Sequence, residues 1–243
     1  MSRFYYDLHI HSCLSPCADN DNTPNNLAGM GKLNSLDIMA LTDHNSSLNC
    51  PAFFKAAEKN CIIPIAGMEL TTSEDIHAVC LFENLESALE FSKEIDSRRI
   101  KIKNRTEIFG DQLIMNENDE VIGTEEHLLS NATTVSLEEV GKIVKRFSGI
   151  CYPAHIDRDS NGAIAVLGAF PHDDGFTAAE LRDSNKAEEY KGKYKLESLK
   201  LIFCSDAHYL WDVSERTNFI DLPADRSNSQ DVVKELFKYL RCE

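Results

Sequence analysis

His9 and His11 stand two apart at the end of the apolar run RFYYDLHI, and residues of similar chemistry recur down the chain. Asp43-His44 follows DIMALT, Glu69 ends IIPIAGM, His77 opens HAVCLF, His155 follows GICYPA, and Asp206-Ala207-His208 follows LIFCS. Imidazole and carboxylate together suit Zn²⁺, Fe or Mn²⁺. Side chains at i and i+2 of a strand share a face, so His9 and His11 can reach one ion together, and Asp206 and His208 repeat that spacing. The candidates outnumber what one ion uses, which implies two or three divalent ions. Closely spaced ions can polarise a phosphoryl oxygen and lower the pKa of bound water towards about 7.

Each motif alone has an ordinary structural reading. An HxH can be satisfied strand histidines, an Asp-His a strand-end turn, Glu69 a helix cap, and His77 or His155 a hydrogen-bonded core histidine. Their joint placement is harder to explain that way. Six of the eight histidines fall in these motifs, leaving His127 and His172 in polar segments. Nearly every motif lies at the C-terminal end of an expected strand, the edge where parallel α/β folds assemble active sites.

The elements that must hold these residues read as strand and helix in alternation. RFYYDLHI, SLDIMALT, CIIPIAGMEL, DIHAVCLF, GICYP, KLIFCS and TNFIDL read as strands, and AAELR as a short one. Thr23 caps a helix that has Pro24 at its first position. Further helices are expected over PAFFKAAEKN, NLESALEFSKEIDSRR, AEEYKGKY and SQDVVKELFKYL, and Ser136 with Glu139 forms a capping box for another through Phe147. This order favours a parallel sheet, open or closed into a barrel. Residues 100–135 break the alternation, with DQLIM and EVIG flanking NENDE as an inserted hairpin.

At 243 residues, 42% of them hydrophobic, the chain fits one large α/β domain over 1–243. No stretch approaches the roughly 18 apolar residues of a membrane span, and MSRFYYDLHIH lacks a signal pattern. A soluble cytoplasmic protein, with no membrane partner, is therefore expected. A net charge of −15 opposes binding of long nucleic acid, while a small anion held by metals is compatible with it. Eight cysteines form no CxxC, and Cys80, Cys151 and Cys204 lie in apolar runs as core residues.

Taken in order, D-L-H-I-H-S, T-D-H, G-M-E followed by I-H, P-A-H and S-D-A-H resemble the polymerase and histidinol phosphatase (PHP) superfamily of metal-dependent phosphoesterases. The resemblance covers roughly residues 4 to 83 and 148 to 222. It implies a distorted seven-stranded, TIM-like β/α barrel and a trinuclear centre that hydrolyses phosphate esters. His9, His11, Glu69 and Asp206 then correspond to ligands of a first ion, and Glu69 bridges to a second held by His77 and His155. His44 and His208 hold a third, completed from the loop after the HxH. Counting back from Thr23-Pro24 selects Asp19 there, with Asp21 and Cys17 as alternatives. Asp43 is expected to orient ligands. Arg158 either binds substrate phosphate in a bidentate contact or pairs with Asp157 or Asp159; Arg105 is a further candidate for phosphate.

The expected activity is hydrolysis of a small phosphorylated substrate, a phosphomonoester first. A nucleotide phosphatase or exonuclease-type phosphodiesterase is the nearest alternative. An amidohydrolase-like metal hydrolase also begins with HxH but normally carries a bridging lysine, where this chain has Glu69. A metal-binding module without activity is the last alternative, and the complete ligand motifs argue against it.

Overall fold

In the computed structural model, which describes residues 1–172 and 175–243, strand and helix alternate at first as the sequence suggests. β1 (Ser2–Ile10) leads to α1 (Pro24–Leu33), β2 (Ile38–Leu41), α2 (Cys50–Lys59) and β3 (Ile63–Thr71). α1 starts where expected, with the Thr23 side chain accepting from Asn26 N and Pro24 in its first turn. β4 (His77–Phe82) follows β3 after a short turn, and α3 (Leu85–Asp96), the single-turn α4 (Thr106–Phe109) and the hairpin β5 (Leu113–Met115) and β6 (Val121–Thr124) come next. α5 (Leu137–Arg146) carries the expected capping box: Ser136 Oγ accepts from Glu139 N at 3.3 Å, and the Glu139 carboxylate accepts from Ser136 N at 3.2 Å. The chain closes with β7 (Gly149–Pro153), α6 (Ala163–Leu167), β8 (Ala178–Leu181), α7 (Ala187–Tyr194), β9 (Lys200–Phe203), β10 (Phe219–Leu222) and α8 (Ser229–Leu240).

Strand direction departs from the expected parallel sheet. Among the described residues, six strands form one curled sheet in the order β10-β1-β2-β3-β4-β7, and β8 pairs with β9 separately. Only β1 with β2, β2 with β3, and β8 with β9 run parallel; β10 with β1, β3 with β4, and β4 with β7 are antiparallel. The reason lies in the connection. No helix separates β3 from β4, and so short a link can only return the chain antiparallel. The ladders thus describe a curled half-barrel of six strands beside a two-stranded pair, with an isolated parallel bridge between Ile10 and Ala207.

Two apolar clusters lie on the two faces of the sheet. One gathers Phe4, Tyr6, Leu8, Ile63, Ile65, Val79, Leu81, Ile150 and Tyr152 and is capped by Val232, Leu236, Phe237 and Leu240 of α8. The other packs Ile10, Met39, Leu41, Ala66, Met68, Leu70, Cys80 and Phe82 against α1, α2, α3 and α5. In α3 the buried stripe is Ala88, Phe91, Ser92 and Ile95, one step round from the Leu85 and Leu89 side of the helix. Leu8 and Ile10 would share a face in a regular strand, yet they belong to opposite clusters. The β1–β2 register shifts between Asp7 and Ile10, and such an irregularity re-aims side chains beside functional sites. Its effect is to turn His9 and His11 towards the face of Leu8. No helix among the described residues is long and apolar enough to cross a membrane.

Gly67 sits where β3 passes closest to its neighbours: a Cβ there would meet the Cys80 carbonyl oxygen and Thr42 Cγ2, each at 2.8 Å. Backbone cannot retreat as a flexible side chain can. Gly67→Ala should cost about 1–3 kcal/mol, read as a lower urea midpoint at unchanged slope. An unaltered midpoint would contradict the close approach.

Candidate metal centre

Beyond the apolar fill of the α8-capped face, the same rows of side chains turn polar. Ile63, Ile65 and Gly67 continue to Glu69 at alternate positions of β3. β4 runs the other way, so its first residue, His77, reaches the same edge, where it pairs with Thr71. His155 and Asp206 lie just past β7 and β9, and both have positive φ, 27° and 52°. Strained backbone of this kind concentrates at functional sites and persists where surrounding bonds hold it. Here His155 N donates to Glu180 Oε1 at 3.1 Å, and the buried Asp7 carboxylate accepts from Ser205 N at 3.1 Å and Ser205 Oγ at 2.6 Å, fixing the turn that carries Asp206.

The result is a single buried cluster. His9 Nε2 lies 3.3 Å from Glu69 Oε1 and 3.5 Å from Asp206 Oδ1, and His11 Nε2 lies 3.2 Å from Glu69 Oε2 and 3.3 Å from Asp206 Oδ1. On the other side of the carboxylate, Glu69 Oε1 is 2.8 Å from His77 Nδ1 and 3.1 Å from His155 Nε2, while Oε2 is 3.0 Å from His44 Nδ1. Among the described residues, three groups have donor atoms close enough for one ion each: His9, His11, Glu69 and Asp206; His44, Glu69 and His77; and His11, His44 and His208. His155 adjoins the second, 3.3 Å from His77 Nδ1.

The donors fit cations better than they fit one another. Glu69 Oε2, Asp206 Oδ1 and His44 Nδ1 are buried with no hydrogen-bond partner despite these short separations, as is His155 Nδ1 on the far side of its ring. Buried lone pairs that converge without hydrogens between them are costly unless a positive charge sits among them. In the metal-free protein, protons supply part of that charge. Burial disfavours the charged imidazole of His11, but Asp206 and Glu69 outweigh it and raise the group to about 9. His9 moves up the same way against burial, through Glu180, Glu69 and Asp206. Burial pushes the Glu69 and Asp206 carboxyls up, yet the histidines hold both well below the usual range. Burial and neighbouring histidines push His44 far down and His208 to about 4.

Partners behind the rings decide which nitrogen faces the cluster. The wholly buried Glu180 of β8 lies 3.0 Å from His9 Nδ1 through each oxygen. A carboxylate only accepts, so Nδ1 carries the hydrogen and Nε2 turns inward. Ser15 Oγ donates to Asp43 Oδ1 at 2.7 Å and lies 2.9 Å from His11 Nδ1, while Asp43 also accepts from Ser12 N and Oγ. His208 Nδ1 donates to the Asp206 carbonyl at 2.8 Å. Sequence reading placed Asp43 behind the ligands but assigned nothing to Glu180, Ser12 or Ser15; an acid inside the short apolar strand AAEL was the one available signal for Glu180.

The loop candidates and the arginines fall in different places around this cluster. Asp19 joins none of the donor groups among the described residues: its carboxylate accepts from the Asp21 amide at 2.8 Å, while its own amide donates to the His208 carbonyl at 2.9 Å. Asp21 joins no donor group either, whereas Cys17 lines the cleft over the site. Arg158 pairs with neither Asp157 nor Asp159: Nη1 donates to Asp206 Oδ2 at 2.8 Å, and Arg182 approaches the same oxygen at 3.8 Å. Both guanidinium groups border a cleft of about 400 Å³ that opens onto His44, Glu69 and His208. Arg105 is not among the residues lining it.

The PHP domain family profile matches residues 7–240. No curated protein matches the chain. Among solved structures, the lesion-specific endonuclease PfuEndoQ from Pyrococcus furiosus is similar at 17% identity and a TM-score of 0.65, over 99% of this chain and 56% of that one. An amidohydrolase from Chromobacterium violaceum, solved with sulfate and no metal, is similar at 18% identity and 0.62, over 90% and 92% of the two chains. A protein from Bifidobacterium adolescentis, provisionally described as a metal-dependent phosphoesterase, is similar at 16% identity and 0.58, over 84% and 87%. At these identities the likeness is one of fold. The chain spans 56% and 57% of the two endonuclease Q structures it matches.

Two outcomes follow from the geometry. Glu180→Gln removes the acceptor-only partner of His9 Nδ1 and should weaken Mn²⁺ binding by about 10- to 100-fold, measured by calorimetry, with the variant still folded by circular dichroism; unchanged affinity would refute the orienting role. Because His11 and His9 hold protons near neutral pH that an ion displaces, Mn²⁺ loading should release protons and tighten as pH rises. Calorimetry in two buffers of different ionisation enthalpy reads that release, and identical heats would contradict it.

Proposed function

This chain belongs to the PHP domain family, and on that premise we propose that it is a metal-dependent phosphoesterase acting on small phosphate esters, phosphomonoesters first. The observation that carries this reading is the convergence of His9, His11, His44, His77 and His155 on one buried carboxylate, Glu69, beneath a cleft bordered by two arginines. His9, His11, Glu69 and Asp206 would hold one ion; Glu69, His77 and His155 a second; His44 and His208, beside His11, a third. Mn²⁺, Zn²⁺ and Fe²⁺ all suit these donors. When bound, such ions supply Lewis acidity towards a phosphoryl oxygen and towards water.

The chain's own residues do the rest. Glu69 ties the donor groups together, and Glu180, Ser15 and Asp43 keep His9 and His11 turned inward. Arg158 places one N–H on Asp206, and over a third of its side chain remains exposed in the cleft with further N–H groups for phosphate oxygens. Arg182 stands beside it. A guanidinium pair over a polyhistidine site suits a compact dianion. The net charge of −15 argues against a long polyanion. A carbonyl substrate finds no lysine at the centre to take the bridging place that Glu69 occupies. A barrel of seven strands and an intracellular location belong to the same reading.

With Mn²⁺, the protein should release phosphate from p-nitrophenyl phosphate, and His9→Ala and Asp206→Ala should each reduce release to background while remaining folded. Hydrolysis of amides or lactones without phosphate release would overturn the proposal, as would full activity in both variants.

A further inference from the structure

The turn after Asp206-Ala207-His208 exposes the largest aromatic of the chain. Trp211, the sole tryptophan, is 75% exposed, and its ring stacks on Tyr209 with centroids 4.8 Å apart and planes 11° apart. Large aromatics normally bury their area, so an exposed stacked pair on a folded turn marks a place where something planar binds. The turn is held firmly. Val213 is buried in the core and Leu210 packs against it; the Val213 and Ser214 carbonyls accept from Asn34 Nδ2 at 3.0 and 3.2 Å, and Ser214 N donates to the Asp7 carboxylate at 3.0 Å. Leu210 and Val213 point inward, and Tyr209 and Trp211 point out.

Position ties this pair to the metal centre. Tyr209 follows His208 directly and lines the same cleft as Arg158, Arg182 and the Glu69 carboxylate, and Trp211 stands one ring beyond it. Asp212, on the same turn, also borders the cleft. An exposed carboxylate there repels a phosphate and accepts from an amino group, so the phosphate belongs with the arginines and the ring with Tyr209 and Trp211. We infer that the Tyr209–Trp211 pair is a stacking platform for a planar base, and that the favoured substrates are nucleoside monophosphates. This substrate class rests on the phosphoesterase reading; the stacking itself does not.

The lone tryptophan provides the test, because its fluorescence reports only this position. Adding AMP to the Mn²⁺-loaded protein should quench it saturably, while ribose 5-phosphate and inorganic phosphate should not. Trp211→Ala should lower the preference for AMP over ribose 5-phosphate, as a ratio of kcat/KM, by about tenfold or more, and Trp211→Phe should keep most of it. Equal quenching by ribose 5-phosphate, or no quenching by AMP, overturns the platform, as does an unchanged ratio in Trp211→Ala. If no phosphate ester is hydrolysed, that result counts against the phosphoesterase reading, and the quenching alone decides the platform.

Discussion

The Glu69 carboxylate is wholly buried, and a charge with no water around it must find its compensation in the protein. Five histidines approach it within 3.3 Å, from β1 and the residue just past it, the loop after β2, β4 and the turn after β7. Those rings therefore serve the fold and the chemistry at once. Removing the carboxylate would leave a set of converging imidazoles with nothing to gather round, and removing the rings would strand an acid at the buried edge of the sheet. Every other feature of this end of the sheet can be understood as a means of bringing positive or metal-ready nitrogen to that one side chain.

Several local departures from regular geometry serve this end. β1 changes face between Leu8 and Ile10, so a strand that begins by filling the apolar interior finishes with two ring nitrogens above it. His155 and Asp206 adopt left-handed backbone that continued strand would not allow, and each is held by hydrogen bonds within or next to its turn. Behind them Glu180 and the Ser15–Asp43 pair set which nitrogen of His9 and His11 faces inward. A metal centre built this way is preorganised by groups that never touch an ion.

Much of this was legible in the sequence, for a physical reason. Histidine and carboxylate at strand ends are costly to bury without a purpose, so His9, His11, Glu69, His155 and Asp206 stand out against their apolar leads. Strand direction was not legible, because the alternation that suggests a parallel sheet says nothing of the bare turn between β3 and β4. The long-range partners were equally hidden. Ser12 and Ser15 are common loop residues, Glu180 lies far along the chain from His9, and counting that selects Asp19 says nothing of the Asp21 amide its carboxylate meets. Arg158, which the sequence offered either as a phosphate contact or as the partner of a neighbouring Asp, pairs with Asp206 from a different strand end.

The β3–β4 hairpin sets an order of assembly. Glu69 and His77 come from one short stretch of chain and can meet as soon as that hairpin closes, whereas His9 must wait for Asp206 to arrive from the other end of the molecule. Glu69 and His77 are thus local partners, while the other donors come from distant parts of the chain. The complete cluster exists only when His9, near the start of the described fold, and Asp206, near its close, have come together, which makes its closure a sign that this domain has folded.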